Sequence, residues 1–177
     1  MASNSSTNLD LLNSLSGAEA QKEFLKCCGS GSWARRMPAE RPFSSVEQMI
    51  ETADRIWWAL EPNDWLEAFH SHPKIGETKA AADTSLEAQK WSEAEQSGTQ
   101  DSDRQTMDAL AKFNRKYEEK FGYIFIICAT GKTSEEMLSE LRRRLNNAPS
   151  DEQRIAAGEQ AKITRLRLNK LLKTLNS

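Results

Sequence analysis

The run Gly122-Tyr123-Ile124-Phe125-Ile126-Ile127-Cys128-Ala129 is β-branched and aromatic almost throughout, bounded by Gly122 and Gly131 and too short for a core helix. It reads as one buried extended segment over about 123–129. No second stretch of this kind offers it a sheet partner, so the remainder must be built from helices. Composition agrees: Gly and Pro number only 8 and 5, while Glu, Lys, Arg, Ala and Leu are abundant. The expectation is an all-α, single-domain bundle of about seven or eight helices with that one short buried segment.

Helix starts are written as capping boxes. Ser16-x-x-Glu19 opens a helix through about Cys28, and Ser44-x-x-Glu47 opens one through about Leu60. The second carries Val46, Ile50, Ala53, Trp57 and Leu60 as an apolar stripe, and Gly29 and Pro62 close the two. A short helix from about Asn63 places Trp65, Phe69 and His72 at i, i+4 and i+7. Residues 74–90 are small and polar and read as a loop or loose helix; a long helix over about 101–121 turns Met107, Leu110, Phe113 and Tyr117 inward. Thr133-x-x-Glu136 and Ser150-x-x-Gln153 start the last two, roughly 134–147 and 151–175. Residues 1–15 are expected to be disordered, leaving 16–177 as the helical domain.

Charge excludes some partners. Lys and Arg total 24 against 26 Asp and Glu, a formal net charge of -2, so the overall balance points to neither nucleic acid nor a membrane surface. No apolar run approaches the roughly 20 residues of a membrane span, and the Ser- and Asn-rich start lacks the order of a secretory signal. Cys27, Cys28 and Cys128 are odd in number and two are adjacent, which argues against a disulfide framework; no CxxC spacing offers a zinc site. A reducing, intracellular setting follows. The last residues, Thr-Leu-Asn-Ser, are not the Ser-Lys-Leu peroxisomal address.

Three polar residues stand out. His72 is followed by Pro73, which disfavours the α conformation in the residue before it and so puts the imidazole at or just past a helix C-terminus. There the carbonyl ends favour a cation, on a side chain that already titrates near neutrality. Alone, a His-Pro pair reads as a turn. Arg167 falls near the centre of a face formed by Ile163, Leu166, Leu168, Leu171, Leu172 and Leu175, where a guanidinium needs an anion to meet it. Alone it reads as a salt bridge to a carboxylate on a neighbouring helix or as an arginine reaching the surface past a thin core; the sharper alternative is a carboxylate ligand held by the planar fork. Glu95, one turn after Trp91, would lie beside a large apolar ring, a setting that raises a carboxylate pKa or readies it to pair with a histidine; by itself the turn reads more readily as a solvated acidic one.

Taken together, His72-Pro73-x-Ile75-Gly76, Ser92-x-x-Glu95-Gln96, Phe121-Gly122-Tyr123-x-Phe125 and Lys162-Ile163-x-x-Leu166-Arg167-Leu168 resemble, in order and spacing, the signatures of the OHCU decarboxylase family. The resemblance covers about residues 16–175 and is strongest to the plant allantoin synthase branch, on the Asp64-Trp65-Leu66-Glu67-Ala68-Phe69 and Phe-Ile-Ile-Cys-Ala wordings. It implies decarboxylation of 2-oxo-4-hydroxy-4-carboxy-5-ureidoimidazoline to (S)-allantoin in urate degradation, with no cofactor and no metal. The family's catalytic histidine, glutamate and substrate arginine fall on His72, Glu95 and Arg167. Pro73, Ser92 and Gln96 match substrate-contacting positions, and the main chain of Phe125, Ile126, Ile127, Cys128 and Ala129 would bind the ureidoimidazoline ring. A homodimer is implied, in the peroxisome or the cytoplasm; plant relatives continue into a hydroxyisourate hydrolase domain, for which 177 residues leave no room. Two other readings stay open: a non-enzymatic helical interaction module, and a metal-dependent hydrolase using His70 and His72. The second is disfavoured because side chains two residues apart diverge on a helix.

Overall fold

Nine α-helices and two 3₁₀ turns make up the computed structural model, which describes residues 3–75, 85–99 and 104–175; no β-strand forms among the described residues. The all-α expectation stands, with one or two helices more among the described residues than the seven or eight expected. The chain divides into two compact units, Met1–Ala68 with Ala161–Ser177, and Phe69–Gln160.

The first unit contains α1 (Ser3–Ser14), α2 (Gly17–Cys27), α3 (Gly31–Arg36), a 3₁₀ turn (Met37–Glu40), α4 (Val46–Trp58) and most of α5 (Pro62–His70). It also holds the C-terminal part of the last helix. Ser16 caps α2 with the full capping box to Glu19. Residues expected to be disordered instead form α1, because Leu9 and Leu12 are buried and the helix end has a distant partner. Arg41 donates from one guanidinium nitrogen to the carbonyls of Leu12, Asn13 and Leu15 at 2.7, 3.3 and 2.8 Å, and Asn13 exchanges two hydrogen bonds with the backbone of Phe43. Those carbonyls have no intrahelical donor. Around them Phe24 meets Trp33 and Phe43 edge-on, and the Trp33 and Trp65 indoles donate to the carbonyls of Ala53 and Trp57.

The start of α4 differs by one residue from the expected box: Ser45 caps Gln48, while the Gln48 side chain reaches back to Ser44. Its buried stripe rotates accordingly, to Met49, Thr52, Ala53, Ile56 and Trp57.

The second unit contains Phe69 onward, α6 (Leu86–Glu95), a 3₁₀ turn (Ser97–Thr99), α7 (Arg104–Phe121), α8 (Ser134–Arg144) and the first part of α9 (Pro149–Thr174). The last helix begins at Pro149, ahead of the Ser150 box, since proline's missing N–H and fixed φ suit a first helical position. Thr133 caps α8 with the reciprocal box to Glu136 as expected. Helix α7 packs on α8, and its buried residues are Leu110, Asn114 and Tyr117; Phe113 is only half-buried, with Lys116 and Arg142 over its ring.

Between α7 and α8 the chain runs through residues 124–129 with neither helix nor strand, and Tyr123 and Phe125 to Ala129 are buried. Gly122 and Gly131, with φ of 80° and 79°, turn the chain at either end of this stretch in a conformation that side chains other than glycine rarely adopt. Parts of the expected 74–90 and 101–121 elements lie outside the described residues.

Candidate active site

Proline 73 ends α5 early. Helix α5 closes at His70 and the backbone turns once more, His72 N–H donating to the Phe69 carbonyl at 3.3 Å, so His72 stands two residues past the helix. Pro73 is buried and His72 half-buried. His72 Nε2 lies 2.6 Å from Oε1 of Gln160, a fully buried side chain on α9. An amide oxygen only accepts, so this bond places a proton on Nε2 and, in the neutral ring, the lone pair on Nδ1. His70 is exposed at the end of α5. Among the described residues no group of three or more His, Cys, Asp or Glu side chains gathers in a metal-binding arrangement, and no helix is long and apolar enough to cross a membrane.

Glu95 is the last residue of α6 and only 8% exposed, with Trp91 and Ser92 also buried on that helix. The Ser92 hydroxyl donates to the Ala88 carbonyl at 3.0 Å, and half-buried Gln96 caps the helix C-terminus through its N–H. The turn that follows is pressed hard against the segment after residue 129: a Cβ on Gly98 would come within 2.1 Å of the Lys132 carbonyl oxygen. Glycine is required there by that close approach. The contact ties the end of α6 to the turn that follows residues 125–129.

That buried, irregular stretch must still satisfy its backbone polar groups. Arg144 donates to the Ile126 carbonyl at 2.8 Å, and the Cys128 N–H donates to Glu159 at 2.8 Å. Burial raises the Cys128 thiol pKa, with the carboxylates of Glu159 and Glu95 adding to the shift. Arg144 is itself fully buried and paired with the fully buried Glu152, which also accepts from the Tyr117 hydroxyl at 2.5 Å and from Asn147 at 2.7 Å.

Arg167 belongs to the first unit. It is 4% exposed, with Ile163, Leu168 and Leu171 also buried on its helix; Leu166, expected on that face, is 37% exposed, and Thr164 is buried instead. The guanidinium is near enough to Cys27 and Cys28 to lower both thiols, yet burial dominates and pushes Cys28 up to about 12 and Cys27 higher still. Next to it, Arg165 bonds Asp54 on α4.

The second unit thus contains His72, Pro73, Ser92, Glu95, Gln96 and the 125–129 stretch, and the first holds Arg167. Sequence reading missed Gln160, Arg144 and Glu152. Gln160 sits seven residues before Arg167, so carrying the inward stripe of α9 back two turns would have found it. Nothing local marks Arg144 among three consecutive arginines.

The uric acid degradation bifunctional protein TTL of Arabidopsis thaliana is 41% identical over 152 residues, 85% of this chain and 47% of that protein. The chain thus spans about half the length of the plant relative. The 2-oxo-4-hydroxy-4-carboxy-5-ureidoimidazoline decarboxylase of Mus musculus is 31% identical over 134 residues, 76% of this chain and 75% of that one. A crystal structure of OHCU decarboxylase in the presence of (S)-allantoin superimposes with a TM-score of 0.74 at 40% identity, covering 85% of this chain and 97% of that chain. The family model for OHCU decarboxylase matches residues 13–169, and the chain belongs to that family.

Proposed function

We propose that this chain catalyses cofactor-independent decarboxylation of 2-oxo-4-hydroxy-4-carboxy-5-ureidoimidazoline to (S)-allantoin, a carboxy-lyase step of urate degradation. The observation that carries the reading is the 40% identity over nearly the whole of a chain described as OHCU decarboxylase in the presence of (S)-allantoin. The substrate's chemistry needs no electron sink from the protein. As the bond to the carboxylate breaks, its electron pair moves toward the adjacent C=N, CO2 leaves, and a proton is returned to ring carbon on one face.

His72 and Glu95 are proposed to bind the hydroxyl and carboxylate end and to manage that proton; Arg167 is proposed to hold an anionic or carbonyl group. Burial of Glu95 and Arg167 and the bond that orients His72 support these roles. Pro73, Ser92 and Gln96, with the main chain of Phe125, Ile126, Ile127, Cys128 and Ala129, are proposed to surround the ureidoimidazoline ring. The finer readings belong with this one: 123–129 is extended, the protein is a homodimer, and it acts inside the cell, in the peroxisome or the cytoplasm.

The test uses substrate generated fresh from urate by urate oxidase and hydroxyisourate hydrolase. The purified chain should hasten decay of the intermediate and the rise of the (S)-allantoin circular dichroism signal, with or without a chelator. Decay no faster than in buffer would overturn the proposal in favour of a binding module, and activity abolished by the chelator would favour the metal-dependent reading. Light scattering checks the dimer.

A further inference from the structure

We propose that Arg144 and Glu152 are positioning residues that hold the 125–129 main chain in place for ligand, so that Arg144 governs substrate affinity without touching substrate; this rests on the proposed role of that segment. Two fully buried charges of opposite sign, Arg144 and Glu152, sit together in the second unit, and burying such a pair gains little stability over an apolar replacement. A pair of this kind supplies geometry more readily than stability.

The geometry is specific. One guanidinium edge engages Glu152 through Nε at 2.7 Å and Nη2 at 2.6 Å. The remaining nitrogen, Nη1, reaches the Ile126 carbonyl at 2.8 Å, and the guanidinium carbon stands 4.6 Å from the centre of the Phe125 ring. A single planar group thus fixes one residue by a hydrogen bond and its neighbour by a face contact. Glu152 is fixed in turn by Tyr117 and Asn147. The fork cannot rotate to another carbonyl without giving up Glu152.

Holding is needed because residues 124–129 lack the repeating hydrogen bonds of helix or strand that would otherwise set their register. The Cys128 N–H is held separately by Glu159, so the two restraints bracket Ile127. A ring bound through this main chain would meet donors and acceptors already placed. Because ring contacts of that sort are made in ground and transition states alike, loosening them should raise KM more than it lowers kcat.

The experiment compares the full chain with R144K and Y117F. Lysine keeps a positive charge beside Glu152 but cannot hold Glu152 and the Ile126 carbonyl together; phenylalanine removes the Tyr117 hydroxyl's bond to Glu152 and its long 3.5 Å bond from Arg144 while keeping both members of the ion pair. Far-ultraviolet circular dichroism establishes that each is folded. R144K should raise KM on the order of tenfold with kcat within about threefold, and Y117F should move KM in the same direction by less. Native-state hydrogen exchange should show the 125–129 amides of R144K exchanging faster than wild type, out of proportion to amides in α7. A folded R144K or Y117F with unchanged KM and unchanged exchange overturns the proposal. If R144K does not fold, Y117F carries the same two readouts. If the wild-type chain shows no turnover, the functional reading has failed while exchange still reports on positioning.

Discussion

Replacing Arg144 by methionine removes the cation paired with Glu152 from a site with no exposure, leaving the buried side chain with its bonds from Tyr117 and Asn147 but without its ion-pair partner. Breaking one side of a buried pair costs about 3–5 kcal/mol, and the Ile126 carbonyl loses its donor as well. For a domain of this size each kcal/mol moves Tm by about 2–4 °C, so R144M should melt roughly 6–20 °C lower. Glu152→Gln strands the guanidinium instead and should cost a similar amount. Independent costs would sum to roughly 6–10 kcal/mol, but the double variant leaves a neutral amide that still accepts from Tyr117 and buries no charge. Coupling of about 1–3 kcal/mol is therefore expected. Urea unfolding of the four proteins, with m-values compared, measures it. Additivity to within about 0.5 kcal/mol would refute the view that these side chains act as one unit.

Substituting His72→Asn or Glu95→Gln should lower kcat by about 10²- to 10⁴-fold with the fold intact; near-normal turnover in either removes that residue from the proton-handling role. Gln160→Leu removes the 2.6 Å bond to the His72 ring and should cost about 1 kcal/mol on urea unfolding; an unchanged midpoint would show that the bond carries little. Gly98→Ala forces the backbone apart at Lys132 and should destabilise by about 1–3 kcal/mol while lowering activity through Glu95; a neutral effect would mean the turn yields freely. Cys28 is held protonated by burial, its folded pKa of about 12 above the unfolded value near 8.5. The stability this contributes is whole below about pH 8.5 and is lost as pH rises toward 12, so the urea midpoint should fall over that window. All three free cysteines are buried and should react with a disulfide reagent only at the rate of unfolding; prompt labelling in the native state would contradict that burial.

What the sequence made readable was local. The Ser16 and Thr133 boxes appear as written, because both partners of a capping box lie within four residues. His72 beyond the end of α5 follows from Pro73 alone. The failures have distant causes. The helix at residues 3–14 depends on Arg41, and the partner of His72 is 88 residues away, separations that periodicity does not carry. Leu166 satisfied the helical period yet faces outward, since a broad apolar face on a helix does not say how much of it a neighbour covers. Burial of Glu95, by contrast, agrees with its spacing from Trp91.

The three carbonyls gathered by Arg41 have a practical meaning for the first helix. A short helix held only by its own backbone bonds ordinarily frays residue by residue from its ends. Here the exit of α1 is clasped by a side chain anchored near Phe43, whose ring leans on Phe24, so letting go of the clasp disturbs aromatic packing well downstream. Removing α1 would be felt as a softened interior around Phe24 and Phe43.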